Sequence, residues 1–313
     1  MSSPPQVQVP ERLLADGVSV IGIGVMGTAY TARLSSLGVP VTVFNRTESK
    51  AAEVARTHSH VTVARSIEDC VQASSILLVA CSPTMDAIAA LCNRLADGQL
   101  VRNKHVVFIV DCGLPEARTM DVLFEKGGAA SLTNVSLFGG AMNVMEGNGV
   151  MNASGRTHAE KSVTDLVMPL LRLFATVTYH PGGPETAALF AMAAHIAFMP
   201  LLYGLMHYVA LMKNGGVDSS LALDFYQTVN RTMLDYVPFL ESAFAKNDYS
   251  AFFGSHQLIR DIMDSASETC TTFDVDHSLT DLMSEYHQRA MRDPELAAKS
   301  FHSVYQVIDR RSS

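Results

Sequence analysis

Tryptophan is missing from the 313 residues, charged side chains make up only 17%, and no C-x-x-C pair occurs. The five cysteines (Cys70, Cys81, Cys92, Cys112 and Cys270) form an odd, scattered set. That set fits neither a disulfide framework nor zinc-ligand spacing, so no metal and a reducing, cytoplasmic setting are expected. Basic residues are the minority, 23 against 31 acidic, for a net charge of −8. No global field therefore draws the chain to nucleic acid or anionic lipid, and a small-molecule partner is favoured. The first sixteen residues lack the apolar stretch of a secretory signal and read as a flexible tail, 1–16. Residues 186–212 carry no Asp, Glu, Lys or Arg, a run long enough by arithmetic to span a bilayer. The run nevertheless holds His195, His207 and Pro200, is rich in Ala and Met, and has no Lys/Arg cluster on either flank. We read it as a helix sandwiched within protein, with no membrane partner.

With 48% hydrophobic residues, the chain has enough apolar surface for cores of real size. From Val18 to about Asp111, short β-branched runs (VSVIGIG, VPVTVFN, VTVA, SILLVAC, HVVFIVD) alternate with helix-length segments. Such alternation specifies an α/β fold with a parallel, doubly wound sheet. Gly38 is placed to close the first helix, and Thr47 or Glu48 to open the second. Past residue 115 the pattern continues through LTNVSLFGG, VMNASG and TVTYH, and from Asp218 onward everything reads as helix. The expected division is a Rossmann domain over 17–183, an interdomain helix over 184–214 and an all-α domain over 215–313.

Gly22-Ile23-Gly24-Val25-Met26-Gly27 is G-x-G-x-x-G, directly after a strand and directly before a helix. The first glycine permits the turn, the second lets backbone approach a pyrophosphate, and the third allows close helix packing. At the end of the second strand, twenty-three residues past Gly22, NAD sites place an acid for the ribose hydroxyls. Here Asn45, Arg46 and Thr47 stand there instead, with Lys50 one turn further. Arg offers a planar fork and Lys a point charge to a 2′-phosphate, so NADPH is the expected cofactor.

With GIGVMG, VTVFNRTESK and the paired glycines of FGGAM, the chain resembles the β-hydroxyacid dehydrogenase superfamily, and within it the imine reductases and reductive aminases. The similarity runs from about Val18 to His302. It implies a Rossmann domain, a long interdomain helix and a helical C-terminal domain, with two subunits intertwined into a homodimer. The uncharged run then resembles the interdomain helix, buried on every side by the partner. Hydroxyacid dehydrogenases carry a lysine near the start of that helix, but no lysine lies between Lys161 and Lys213. Imine reductases generally place an aspartate or tyrosine there. By the resemblance that position falls on Ala191, and the family's aromatic two turns on falls on Met199, followed by Pro200.

Alanine cannot donate a proton. An alkoxide needs one as it forms, whereas an iminium already carries the charge, so reduction of a C=N bond without the usual donor is the expected activity. His195 lies about 40° around the helix from Ala191, one turn along, and is the candidate replacement acid; Tyr203, about 120° away, is weaker. The ends of the fourth and fifth strands, Ala80, Cys81, Ser82 and Cys112, are expected to line the cofactor. Met142, Asn143, Ala191, Met199 and His256 are the expected substrate neighbours, with Phe252 and Phe253 placed to reach in from the second subunit. Two alternatives stay open: a carbonyl or hydroxyacid-type reductase with a relocated donor, and a catalytically silent NADPH-binding dimer.

Overall fold

Eight strands form one sheet in the order β3-β2-β1-β4-β5-β6-β7-β8. They are β1 (Val18–Ile21), β2 (Val41–Phe44), β3 (Val61–Val63), β4 (Ile76–Val79), β5 (His105–Ile109), β6 (Ser131–Phe138), β7 (Gly149–Thr157) and β8 (Ala175–Tyr179). The computed structural model of the chain describes residues 8–158, 160–246, 248–249 and 254–309. The first seven residues of the expected tail, and Phe252 and Phe253, lie outside them.

All pairings are parallel except β6 with β7, which runs antiparallel from Ser131↔Thr157 to Phe138↔Val150. The central strands VSVI, ILLV and HVVFI are buried throughout because helices cover both faces, while the edge strand β3 is only half-buried. Alternate residues feed two cores. Val20, Val43, Leu78 and Val107 face Tyr30 and Phe174, and Leu77, Val79, Val106 and Phe108 face Leu95 and Met120. Each such side chain contributes about 1.5–3 kcal/mol on burial.

The helix after β1, Val25–Ser36, ends at Leu37, with Gly38 beyond it at φ +77°. Thr47 caps the helix Glu48–Thr57 that follows β2. Part of the segment expected as a tail is ordered. Glu11–Asp16 is helical, and Leu13, 1% exposed, anchors it in the core. Glu11 in its first turn, the Arg12–Asp16 ion pair and Gly17 at its end are the local signals for this helix.

The chain divides into two compact units, Met1–Ile196 and Ala197–Ser313, so the division falls inside the helix Pro184–Asn214. That helix is long and apolar enough, by length and composition, to cross a membrane. Side chains from β6 and β7 hold its start. Asn134 Nδ2 donates to Pro184 O at 3.0 Å, while Ser154 Oγ accepts from Ala187 N and donates to Gly183 O, both at 2.7 Å. Its buried residues are Pro184, Ala187, Ala188 and Ala191, all within the first two turns. The expectation of a helix covered on every side is therefore not met by one chain: Ile196 is 76% exposed and Met206 61%.

The second unit is helical, with Ser219–Leu234, Val237–Lys246, His256–Thr272 and Ser278–Met291 as its main elements. The last two pack together, tied by Ser267 Oγ to Thr280 Oγ1 (2.6 Å) and by Ser284 Oγ donating to Asp264 Oδ1 (2.5 Å). Beside them lies a polar core in which His256 Nδ1 stands 2.9 Å from His287 Nδ1, and His256 Nε2 2.9 Å from Ser303 Oγ.

Candidate functional site

In a doubly wound sheet the topological switch point, here between β1 and β4, opens a crevice at the carboxyl ends of the strands. A cavity of about 440 Å³ occupies that place in the first unit. Its floor is the glycine loop. Gly22 has φ +96°, and a Cβ on it would stand 2.2 Å from Ala80 O; a Cβ on Gly27 would stand 1.8 Å from Gly22 O. These two glycines are required by packing alone. Gly24 differs, because nothing lies within 4 Å of where its Cβ would be. It caps the helix Val25–Ser36 with no side-chain bond. The helix's first amides thus point into open space beside a residue without a side chain, an arrangement that suits an anion.

The end of β2 completes the cradle. Asn45 Oδ1 accepts from Ile23 N, and its Nδ2 donates to Thr47 O, both at 2.9 Å. Asn45 therefore braces the glycine loop against β2. Arg46, Thr47 and Lys50 are exposed, and neither base forms an ion pair among the described residues. Two free cations one turn apart, where an acid would serve the unphosphorylated ribose, fit a 2′-phosphate.

The far wall comes from the strand ends. Ala80, Cys81, Ser82 and Pro83 follow β4, and Val110 and Asp111 follow β5. Burial pushes the Cys81 thiol up to about 11. Burial, and next Glu116, push Cys112 up to about 12. Both are thiols, not thiolates, at neutral pH, and neither is an activated nucleophile. Among the described residues no group of three His, Cys, Asp or Glu stands ready for a metal ion.

Asp111 is the residue that the sequence reading passed over. It lines the cavity together with Val110. Its Oδ1 accepts from Leu137 N at 3.3 Å, and its Oδ2 faces His195 Nε2 at 3.6 Å. Burial raises its pKa above the ordinary carboxylate value, while His195 and the Leu137 amide pull it back. A signal was available, since HVVFIVD ends an apolar central strand on a charge at the sheet edge where ligands sit.

The other candidates scatter. His195 lies one turn beyond Ala191 on the same helix face, against the ring of Phe138 (centroids 5.5 Å apart). Ala191 itself is wholly buried. Met142 is 76% exposed. Asn143 Oδ1 accepts from Gly140 N at 2.9 Å and braces the turn after β6. Met199 is exposed on the part of the long helix that belongs to the second unit. His256, in the second unit, is 0% exposed and bonded through both ring nitrogens.

A doubly wound sheet with a glycine cradle at its switch point, followed by a helical unit, defines a dinucleotide-binding protein of the two-unit dehydrogenase kind. A sequence model of the NAD binding domain of 6-phosphogluconate dehydrogenase matches residues 17–182, and one of the NADPH-dependent reductive aminase-like C-terminal domain matches residues 183–310. The first of these covers more than half of the chain, which belongs to the 6-phosphogluconate dehydrogenase-like superfamily. Among solved structures it is similar to a reductive aminase from Aspergillus terreus in complex with NADPH and ethyl-5-oxohexanoate (TM-score 0.83, 21% identity, 93% of this chain and 98% of that one). It is likewise similar to an imine reductase from Pseudomonas sp. (TM-score 0.82, 16% identity, 93% and 98%) and to one from Myxococcus stipitatus in complex with NADP+ (TM-score 0.80, 16%, 93% and 99%). At these identities the likeness is one of fold. No curated relative matches the chain.

Proposed function

We propose that the chain is an NADPH-dependent reductase that converts the C=N bond of an imine or iminium to an amine. The observation that carries this reading is the switch-point cavity, whose open Gly24 cradle and exposed Arg46 and Lys50 suit a phosphorylated dinucleotide. The amides of the first helical turn would hold the pyrophosphate, and Arg46, Thr47 and Lys50 the 2′-phosphate. Ala80, Cys81, Ser82 and Cys112 would line the nicotinamide end with backbone and neutral side chains. When bound, the dinucleotide supplies the electron pair and hydrogen that the reduction consumes.

The chain's own residues favour C=N over alcohol chemistry. The start of the long helix holds no lysine, and buried Ala191 has no proton to give. A C=N acceptor protonated in water asks less of the protein than a carbonyl, whose alkoxide needs an acid as it forms. Orientation in a dry cavity then supplies much of the catalysis. The Asp111–His195 pair also suits a carbonyl acceptor, which makes ketone reduction the second reading.

The working form in this proposal is a homodimer. Exposed Ile196, Phe198, Leu201 and Met206 on the long helix, with Leu221 and Phe225 on the next, exceed what a lone soluble unit leaves uncovered, and a second copy is the occupant that the family resemblance implies. All five cysteines are free, in keeping with a cytoplasmic setting. The test is NADPH consumption at 340 nm with cyclic imines, preformed iminium salts and ketones. Turnover of the C=N compounds with ketones inert is the expected result, and NADPH binding with no turnover of any of them overturns the proposal.

A further inference from the structure

We propose that Asp111 is the group that delivers the proton to the acceptor nitrogen and that His195 is the residue that positions it and reloads it. The assignment rests on the imine-reducing reading above and replaces the expectation that the site works without an acid.

Three observations point to Asp111. It is the only carboxylate among the residues lining the switch-point cavity, and it sits directly past the end of β5, where the sheet presents ligands. Its carboxyl is held at both oxygens, Oδ1 by the Leu137 amide at 3.3 Å and Oδ2 opposite His195 Nε2 at 3.6 Å. Its backbone is fixed by neighbours on both sides, with Val110 N bonded to Val135 O and Cys112 N to Val110 O, each at 3.0 Å. His195 is fixed in turn. The helix that carries it is clamped at its start by Asn134 and Ser154, and the imidazole rests on Phe138.

The titratable groups that face Asp111 leave it free to hold a proton. Tyr30, on the helix after β1, is buried and its pKa is raised, by burial first and by Asp111 second; Cys112, beside it, is a neutral thiol. His195, on the long helix, is the cation available to it. Burial of the carboxyl favours its neutral form, and the two hydrogen-bonding neighbours limit that shift. A carboxyl of this kind keeps its proton to higher pH than an exposed aspartate does.

The step balances within the pair. The loaded pair is a carboxylic acid beside a neutral imidazole, or equally a carboxylate beside an imidazolium. As the acceptor carbon is reduced at the expense of NADPH, an N–H bond forms at nitrogen and the O–H bond of Asp111 breaks. The carboxylate left behind is stabilised by the Leu137 amide and by Nε2–H of His195, and a proton from water through His195 restores the loaded state.

Two measurements test the assignment. The first needs no cofactor. The Asp111 carboxyl carbon, followed by NMR across pH in the free protein, is expected to titrate above the ordinary aspartate range and to move higher still in His195→Gln, because the cationic form of the imidazole favours the carboxylate. An unmoved titration overturns the pair. The second compares substrates. Asp111→Asn is expected to lower kcat on neutral imines about 100-fold or more, and on preformed iminium salts less than about tenfold. His195→Gln is expected to lower kcat on neutral imines less than Asp111→Asn does, and to move the alkaline limb of the pH profile, where a proton donor is lost. Equal losses on both substrate classes in Asp111→Asn overturn the proton-delivering role. If wild type binds NADPH and reduces no C=N compound, the proposed function falls on that result, while the NMR titration still reads the pair on its own.

Discussion

The two units of this chain spend their apolar residues differently. In Met1–Ile196 the central strands are covered on both faces and the large side chains Tyr30, Phe108 and Phe174 are fully buried. In Ala197–Ser313 large apolar residues such as Met206, Leu221 and Phe225 face outward, and a buried polar cluster (His256, His287 and Ser303) stands where a purely apolar core is the usual solution. The first unit is complete as a folded body. The second leaves apolar surface uncovered, which in our proposal a second copy covers, and the difference separates residues needed for the fold from residues free to serve a ligand or a partner.

That comparison is sharpest inside the glycine loop. Gly27→Val, which drives side-chain atoms into Gly22 O, is expected to abolish soluble protein, whereas Gly24→Asp is expected to fold normally and to weaken NADPH binding at least about 100-fold. Soluble yield and fluorescence titration of the two variants check this, and a Gly24→Asp protein with wild-type affinity removes the cradle from the site. Next in size is Ala191→Asp. The side chain is wholly buried, so an unpaired carboxylate there is expected to cost about 3–5 kcal/mol in urea unfolding rather than to restore a donor. A stable variant that gains activity would reverse that reading.

The outward apolar face gives a third test. Met206→Glu combined with Phe225→Glu is expected to convert dimers to monomers in light scattering, by roughly 2–4 kcal/mol of interface energy, and to leave the first unit's melting unchanged. An unaltered mass would disconnect this face from assembly. Arg46→Ala is expected to raise the KM for NADPH by about 10–30-fold, equivalent to one charge-assisted contact, with that for NADH moving less than about twofold.

The smallest effect concerns pH. Burial first, then His287 and His302, push the pKa of His256 down to about 4. The unfolded chain therefore binds more protons than the folded one between about pH 6.5 and 4, so the stabilisation present above that window is lost as pH falls through it. Melting is expected to drop by roughly 2–4 °C per pH unit there, and His256→Gln is expected to flatten the dependence. The pair at the cavity has the opposite sign. Because burial raises the pKa of Asp111, its ionisation on the alkaline side weakens the folded state, and Asp111→Asn is expected to leave stability at neutral pH unchanged or slightly increased.

Much of this was legible in the linear chain. Strand and helix periods gave the doubly wound sheet, and a glycine triplet between a strand and a helix marked the cradle. The want of an acid at Asn45-Arg46-Thr47 pointed to the phosphorylated cofactor. What was illegible follows from how the signals arise. Asn45 reads as a ligand by position, and only the fold shows that its amide also ties the glycine loop to the end of β2 through Ile23 and Thr47. His256 reads as a substrate neighbour, yet in this chain it is buried, with His287 and Ser303, distant in sequence, bonded to its ring. Asp111 was hidden because a single charge at the end of a strand has no period, and its partner lies far along the chain.

By itself, then, the order of residues determined the elements, their handed succession in the sheet and the chemistry of the phosphate cradle, because these depend on near neighbours and on backbone freedom. Only the tertiary structure decided which carboxylate meets which imidazole, which alanine is sealed and which apolar face is left open. Those outcomes depend on contacts between segments that no local pattern encodes.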